Sequence, residues 1–273
     1  METFDIIALA LIQGITEFLP ISSSGHLALW PLLTGRPDQG VTMDVAVHVG
    51  TLVAVCLFFR SEVGRILIGV GKILRWDLMN AEAYLAMLLA IATIPAIVFG
   101  LALKVTDTHD ALRTLEVIGW ATLVGGILLW LADRAATTRG KAETWRIRDA
   151  VIIGLAQAVA LIPGTSRSGI CMTAARWLGF DRTEAARIAL LMAVPTILAA
   201  GTVETAGVIK DGNFELGAEL ILGAVLSFFA ALGALWVMMR MFASAWSMLP
   251  FVIYRVVLGC ILLWIVYAGS GAV

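Results

Sequence analysis

Six stretches of this sequence, roughly 42–59, 82–103, 114–132, 185–208, 216–239 and 249–268, are each apolar over close to the ~20 residues that a helix needs to cross a hydrocarbon core. They are expected to be spanning helices. Two further apolar stretches, 4–33 and 149–178, are interrupted in the middle by proline, serine and glycine, so neither half of either is long enough to cross alone. With 60% hydrophobic and only 14% charged residues, and a mean hydropathy of +0.94, the solvent for most of the surface is lipid. A formal net charge of -1 and scattered basic residues leave no footprint for nucleic acid. Met1 to Asp5 carry two acids and no Lys or Arg, so the first apolar segment is expected to be retained rather than cleaved as a signal peptide. Cys56, Cys171 and Cys260 lie far apart, without zinc or redox spacing, and Cys56 and Cys260 read as apolar filling.

The two interruptions look like one motif written twice. Gln13 stands seven residues before Pro20 and Gln157 six before Pro163, and each segment reaches a Ser-Gly pair, Ser24-Gly25 or Ser168-Gly169, twelve residues after its glutamine. Aligning the prolines requires one gap and its compensation. Three spanning helices follow each copy, and Pro95 with Gly100 and Pro195 with Gly201 recur at similar spacing. If each broken segment re-enters and returns to its own side, the three spans between them turn the second half upside down relative to the first, an inverted-topology repeat. The expected fold is an all-α polytopic membrane protein: six transmembrane helices plus two re-entrant broken-helix hairpins, in one membrane domain with repeats at about 1–135 and 145–273. Two kinked spanning hairpins would preserve the same loop parity.

That parity divides the basic residues unevenly. One face holds thirteen of the nineteen: Arg60, Arg65, Lys72, Arg75, Arg134, Arg139, Lys141, Arg146, Arg148, Arg176, Arg182, Arg187 and Arg240. The other holds Arg36, Lys104, Arg113 and Lys210, leaving only Arg167 and Arg255 inside apolar segments. Positive loops stay inside, so the first face is expected in the cytoplasm, with both termini and the Ser22–His26 loop outside. The Arg167 loop then enters from the cytoplasm, and the two tips meet near the midplane. Trp30, Trp76, Trp145 and Trp246 fall near expected boundaries and read as interfacial anchors.

Glu17, His26 and Arg167 lie within apolar stretches, where an ionisable group costs about 2.5–3.5 kcal/mol at a helix centre even on a lenient insertion scale. Such residues need a reason. Gln13 and Glu17 are four apart and share one helical face. Ser22, Ser23 and Ser24 open a new half-helix, where a hydroxyl can cap free N–H groups; three in a row exceed what one cap requires. The second break, with Gly164, Thr165, Ser166, Arg167 and Ser168, gathers free N–H groups, hydroxyls and a guanidinium, an anion site in which the planar fork of arginine can grip two phosphate oxygens. It lacks the lysine and spacing of a nucleotide-binding loop. Asp44 and His48, four apart on the first spanning helix, are lesser candidates, since Asp44 can simply cap that helix.

Gln13 to His26, with its Glu four residues after Gln, its serines and its His, resembles the first motif of the undecaprenyl-pyrophosphate phosphatases of the bacitracin-resistance type, and Pro163 to Gly169 resembles their second. The resemblance runs the full length of the chain. One departure stands out: Cys171 stands where the family usually has Thr, with Thr173 two residues on, while Gln13 is an accepted variant at its position. The resemblance implies hydrolysis of a C55 isoprenyl pyrophosphate to the monophosphate at the outer face of the bacterial inner membrane, recycling the carrier for peptidoglycan and conferring bacitracin tolerance. In the mechanism it suggests, Ser23 attacks phosphorus or positions water, Glu17 or His26 takes the proton, and Arg167 holds the developing charge. Gln13, Ser22, Ser24, Gly164, Ser166 and Ser168 would bind substrate. Glu17 could share a divalent cation, Mg or Ca, with the pyrophosphate. Beyond the lipid substrate and bilayer lipid, a homodimer is compatible with the sequence. A transporter or lipid flippase with a midplane anion site is the competing class.

Overall fold

The computed structural model describes residues 2–35, 40–106, 110–135, 145–210 and 217–269; of the residues weighed above for sidedness, Arg36, Arg139 and Lys141 lie outside them. Eleven α-helices, besides a short 3-10 helix at Asp110–Leu112, are present among the described residues: α1 (Thr3–Thr16), α2 (Ser23–Thr34), α3 (Gly40–Phe58), α4 (Arg60–Leu74), α5 (Ala81–Val105), α6 (Leu115–Ala135), α7 (Ile147–Val159), α8 (Arg167–Trp177), α9 (Arg182–Lys210), α10 (Ala218–Ala243) and α11 (Leu249–Gly269). No strand occurs among them. Six helices, α3, α5, α6, α9, α10 and α11, are long and apolar enough to cross a membrane, and they fall on the six stretches expected. At 1.5 Å per residue the 14 residues of α1 rise only ~21 Å, short of a ~30 Å hydrocarbon core, and α2, α7 and α8 are shorter still.

Three expectations need correcting. Residues 60–80, whose basic residues are expected in a loop of the positive face between the first two spans, carry the helix α4. Its exposed Leu67, Ile68 and Leu74 are interleaved with Arg60, Glu62, Arg65 and Lys72, a pattern too polar to read as a span. It packs on α5, where a Cβ on Gly69 would lie 2.1 Å from the Glu82 carbonyl and Lys72 pairs with the Glu82 carboxylate at 3.0 Å. Trp145 is no interfacial anchor: it is 4% exposed and sits in the main core, whereas Trp76 and Trp246 are exposed as expected. Pro95 and Pro195 both lie inside helices, but in the second spanning helix after one break and the first after the other, so they are not matching marks of a repeat.

Lipid tails are as apolar as leucine, so these helices associate through close packing of small residues rather than by escaping water. Helix α9 runs through the centre, with Ala185, Ala186, Ala189 and Ala193 fully buried. Helix α10 lies against α3 and α1, α7 against α5, and α11 against α6. At Gly50 an added Cβ would stand 2.1 Å from the Ala224 carbonyl, and at Gly154 2.6 Å from the Ala92 carbonyl. The result is a tight bundle that holds the two breaks face to face in its interior.

Candidate active site

Both breaks turn with the same backbone. Ser22 adopts φ 77, ψ 94 and Ser166 φ 68, ψ 111, a region that L residues enter at a cost and hold only where the surroundings fix them. Each serine caps the short helix that follows: Ser22 Oγ accepts from the Gly25 N–H at 3.3 Å and Ser166 Oγ from the Gly169 N–H at 3.1 Å. Each cap hydroxyl also pairs with the serine two residues on, Ser24 at 3.3 Å and Ser168 at 3.2 Å. One constant spacing relates Ser22 to Ser166, Gly25 to Gly169 and Gln13 to Gln157. The gap required by aligning Pro20 with Pro163 therefore disappears when the caps are aligned. In that register Ser23 answers to Arg167.

With Ser22 on the cap, the Ser23 hydroxyl is left to donate to Glu17 Oε2 at 2.6 Å. Gln13 Nε2 donates to the same oxygen at 3.0 Å, as expected for residues four apart on one face. Across the gap, Arg167 Nη2 donates to Glu17 Oε1 at 2.8 Å, so the second break does bring its guanidinium to the carboxylate of the first. A direct tie accompanies it: Ser168 Oγ donates to the Leu19 carbonyl at 2.9 Å. Glu17 is 8% exposed, and a carboxylate so placed needs the cation and donors that surround it.

These groups line a cavity of about 160 Å³ bounded by Glu17, Ser22, Ser23, Ser24, His48, Ala160, Ser166 and Arg167. It has room for a phosphate-sized group, not for a long isoprenoid chain. Arg167, in its lining, and Gln13, bonded to Glu17, each have a buried polar atom with no hydrogen-bond partner among the described residues, Nη1 and Oε1 respectively. The first is a donor suited to a phosphate oxygen; the second is an acceptor suited to a cation or a donor brought by the ligand. No group of three or more His, Cys, Asp or Glu at metal-binding distance occurs among the described residues. Glu17 and the Gln13 amide oxygen are nonetheless the hard oxygen donors that Mg or Ca takes when a substrate's phosphates complete its shell.

The histidines exchange the places expected of them. His26 does not line the cavity: its Nδ1 meets the Ser22 carbonyl at 2.6 Å and its Nε2 the Tyr254 hydroxyl at 2.5 Å, with the two rings nearly parallel. His48, a lesser candidate by sequence, does line it, with Nε2 3.8 Å from Glu17 Oε2 and Nδ1 2.7 Å from the Asp44 carbonyl. The four-residue spacing of Asp44 and His48 was the available signal, but it is the backbone oxygen of Asp44 that the ring meets. Gly164 takes φ +92, where a Cβ would stand 2.5 Å from the Ile118 carbonyl, so it serves the turn by being glycine. Cys171 is fully buried beside Gln157 and does not line the cavity.

The sequence matches the family model described as Bacitracin resistance protein BacA over residues 6–261. It is 53% identical over 268 residues to the undecaprenyl-diphosphatase of Jannaschia sp. (strain CCS1), covering 98% of this chain and 100% of that one. The undecaprenyl-diphosphatase of Dinoroseobacter shibae is 51% identical over the same shares of each chain, and that of Chromohalobacter salexigens 46% identical over 96% of this chain and 98% of its own.

Proposed function

Since the chain belongs to the Bacitracin resistance protein BacA family, we propose that it hydrolyses undecaprenyl pyrophosphate to undecaprenyl phosphate and phosphate, returning the lipid carrier to cell-wall synthesis. The observation that carries the site assignment is the junction of Ser23, Glu17 and Arg167 across the two breaks. Ser23 Oγ attacks the terminal phosphorus in line and passes its proton to Glu17 Oε2, 2.6 Å away. The Oγ–P bond forms as the bridging P–O bond breaks, and the proton leaves with the lipid monophosphate. Water then cleaves the phosphoserine, with Glu17 taking its proton and returning one to Ser23. Arg167, through Nη1 while Nη2 holds Glu17, and the N–H groups at the start of α8 hold the charge that develops on the phosphoryl oxygens. Ser24, Ser166 and Ser168 line or brace the phosphate cavity. His26 acts through Ser22, whose carbonyl it holds, on the break from which Ser23 projects. A divalent cation, when bound, would be held by Glu17 and the Gln13 amide oxygen and would neutralise phosphate charge.

We further read the chain as an inverted-topology repeat in the bacterial inner membrane, with both breaks re-entrant, both termini outside and the cavity open to the outer face. The shared cap geometry supports this, as does the part of the packing that survives exchange of the halves. The helix before each break lies on the other half's second span, α1 on α10 and α7 on α5, while first span meets first span, α3 on α9, and third meets third, α6 on α11. The thirteen-to-four division of basic residues supports the sidedness.

The test is phosphate release from an isoprenyl pyrophosphate by purified protein, with and without chelator, beside folded Glu17→Ala, Ser23→Ala and Arg167→Ala variants. Loss of at least ~100-fold in each variant is expected from the removal of a base, nucleophile or charge clamp. Variants at full rate, or an inactive wild type, would move the broken helices to a transport role. Labelling of single cysteines at the two ends of α3 from one side of intact cells tests the orientation.

A further inference from the structure

Arg255 on α11 is 0% exposed, and among the described residues its guanidinium meets no carboxylate. All five of its hydrogen bonds end on backbone carbonyls. Nε donates to Thr122 at 3.1 Å and Nη1 to Pro20 at 3.3 Å; Nη2 donates to Ala121 at 3.2 Å, Gly164 at 3.2 Å and Thr165 at 2.8 Å. Those carbonyls come from three separate pieces of chain: the first break, the second break and helix α6. Space is kept open for the group. A Cβ on Gly125 would lie 2.1 Å from Nη2, one on Gly169 2.8 Å from Nη1, and one on Gly126 2.9 Å from the Arg255 Cβ.

Filling this volume with an apolar side chain would avoid the several kcal/mol that burying an unpaired ion costs. An apolar side chain, however, could not satisfy carbonyls freed by the breaks in a medium without water, nor bind three of them with one rigid nitrogen. The breaks are also where the chemistry sits: Ser23 follows Pro20 by three residues, and Arg167 follows Thr165 by two.

We propose that Arg255 is a positioning residue for the pyrophosphate hydrolysis, tying Pro20 of one break to Gly164 and Thr165 of the other so that Ser23 and Glu17 face Arg167. This rests on the hydrolase reading above. In-line attack tolerates little misplacement, and an error near 1 Å costs on the order of 100-fold in rate. Slackening the tie should therefore lower kcat while the folded bundle and its lipid-facing surface stay in place.

The experiment measures phosphate release from a polyprenyl pyrophosphate, with kcat and KM separated, and Tm in detergent, for wild type, Arg255→Gln, Arg255→Lys and Gly125→Ala. Gly125→Ala keeps the cation but drives its flexible end off the carbonyls, and it decides the matter if Arg255→Gln does not fold. Expected is a fall in kcat of about 100-fold in Arg255→Gln and Gly125→Ala with little change in KM, and partial recovery in Arg255→Lys. If the variants lower Tm but keep wild-type kcat per folded molecule, Arg255 is a packing residue and the proposal is overturned. An inactive wild type would instead sink the hydrolase reading itself.

Discussion

Arg167→Lys separates the charge at position 167 from its geometry. In the structure one nitrogen, Nη2, is held by Glu17 at 2.8 Å, while the other, Nη1, is buried with no acceptor among the described residues and, on the proposed mechanism, takes a phosphate oxygen. A lysine has a single nitrogen on a flexible stem. It can keep the Glu17 pair or reach the phosphate, and it cannot hold both in a fixed plane. Losing one prearranged donor to a developing oxyanion costs about 2.7–4 kcal/mol, or ~10²–10³ in kcat. Stability should change little, because Glu17 keeps a cation beside it. Arg167→Leu, by contrast, strands a buried carboxylate and should cost about 3–5 kcal/mol of folding free energy. The assay is phosphate release at saturating lipid, with Tm measured in the same detergent. If Arg167→Lys kept about a tenth or more of wild-type kcat, only one nitrogen would be doing the chemistry and the fork argument would fail.

Ser23→Ala should abolish turnover by at least ~100-fold with Tm unchanged, whereas Ser22→Ala, which removes a cap, should lower stability by about 0.5–2 kcal/mol; parallel activity and melting curves distinguish them. Gly50→Ala drives a methyl toward the Ala224 carbonyl at 2.1 Å and should separate α3 from α10, costing about 1–3 kcal/mol, read as a lower Tm. Chelation should slow phosphate release, with Mg or Ca restoring it; a rate indifferent to chelator would remove the cation assigned to Glu17 and Gln13. Gly50 lies apart from the cavity, so its outcome is independent of the other three.

The six spans were legible because lipid demands long apolar runs, and no tertiary detail can override that demand. The breaks were legible for a related reason: proline, serine and glycine in mid-membrane have to be explained locally. Helix α4 was not, since half its face is charged and its partner, Glu82, only becomes adjacent after folding. Glu17, Ser23 and Arg167 stood out as polar residues in apolar surroundings, and the structure does gather them. The histidines did not sort by sequence, because which way a ring turns from a helix depends on a neighbour such as Tyr254, 228 residues away. Arg255 was visible as a cation in an apolar run, but its partners are carbonyls, which every residue carries and no sequence pattern marks. Trp145 was misread because tryptophan near a boundary serves the interface and the core equally well.

The residue that follows each cap is a hydroxyl on one tip and a guanidinium on the other, and the carboxylate that serves them both has only Leu161 at its counterpart position. The reagent is thus divided between halves of the polypeptide that are made at different times during translation. On the proposed mechanism, a chain with only its first half inserted would have an attacking group and nothing to hold the phosphate, and the later half would have the grip and nothing to attack with. Competence to cut a phosphoanhydride would then arrive only with both halves in place.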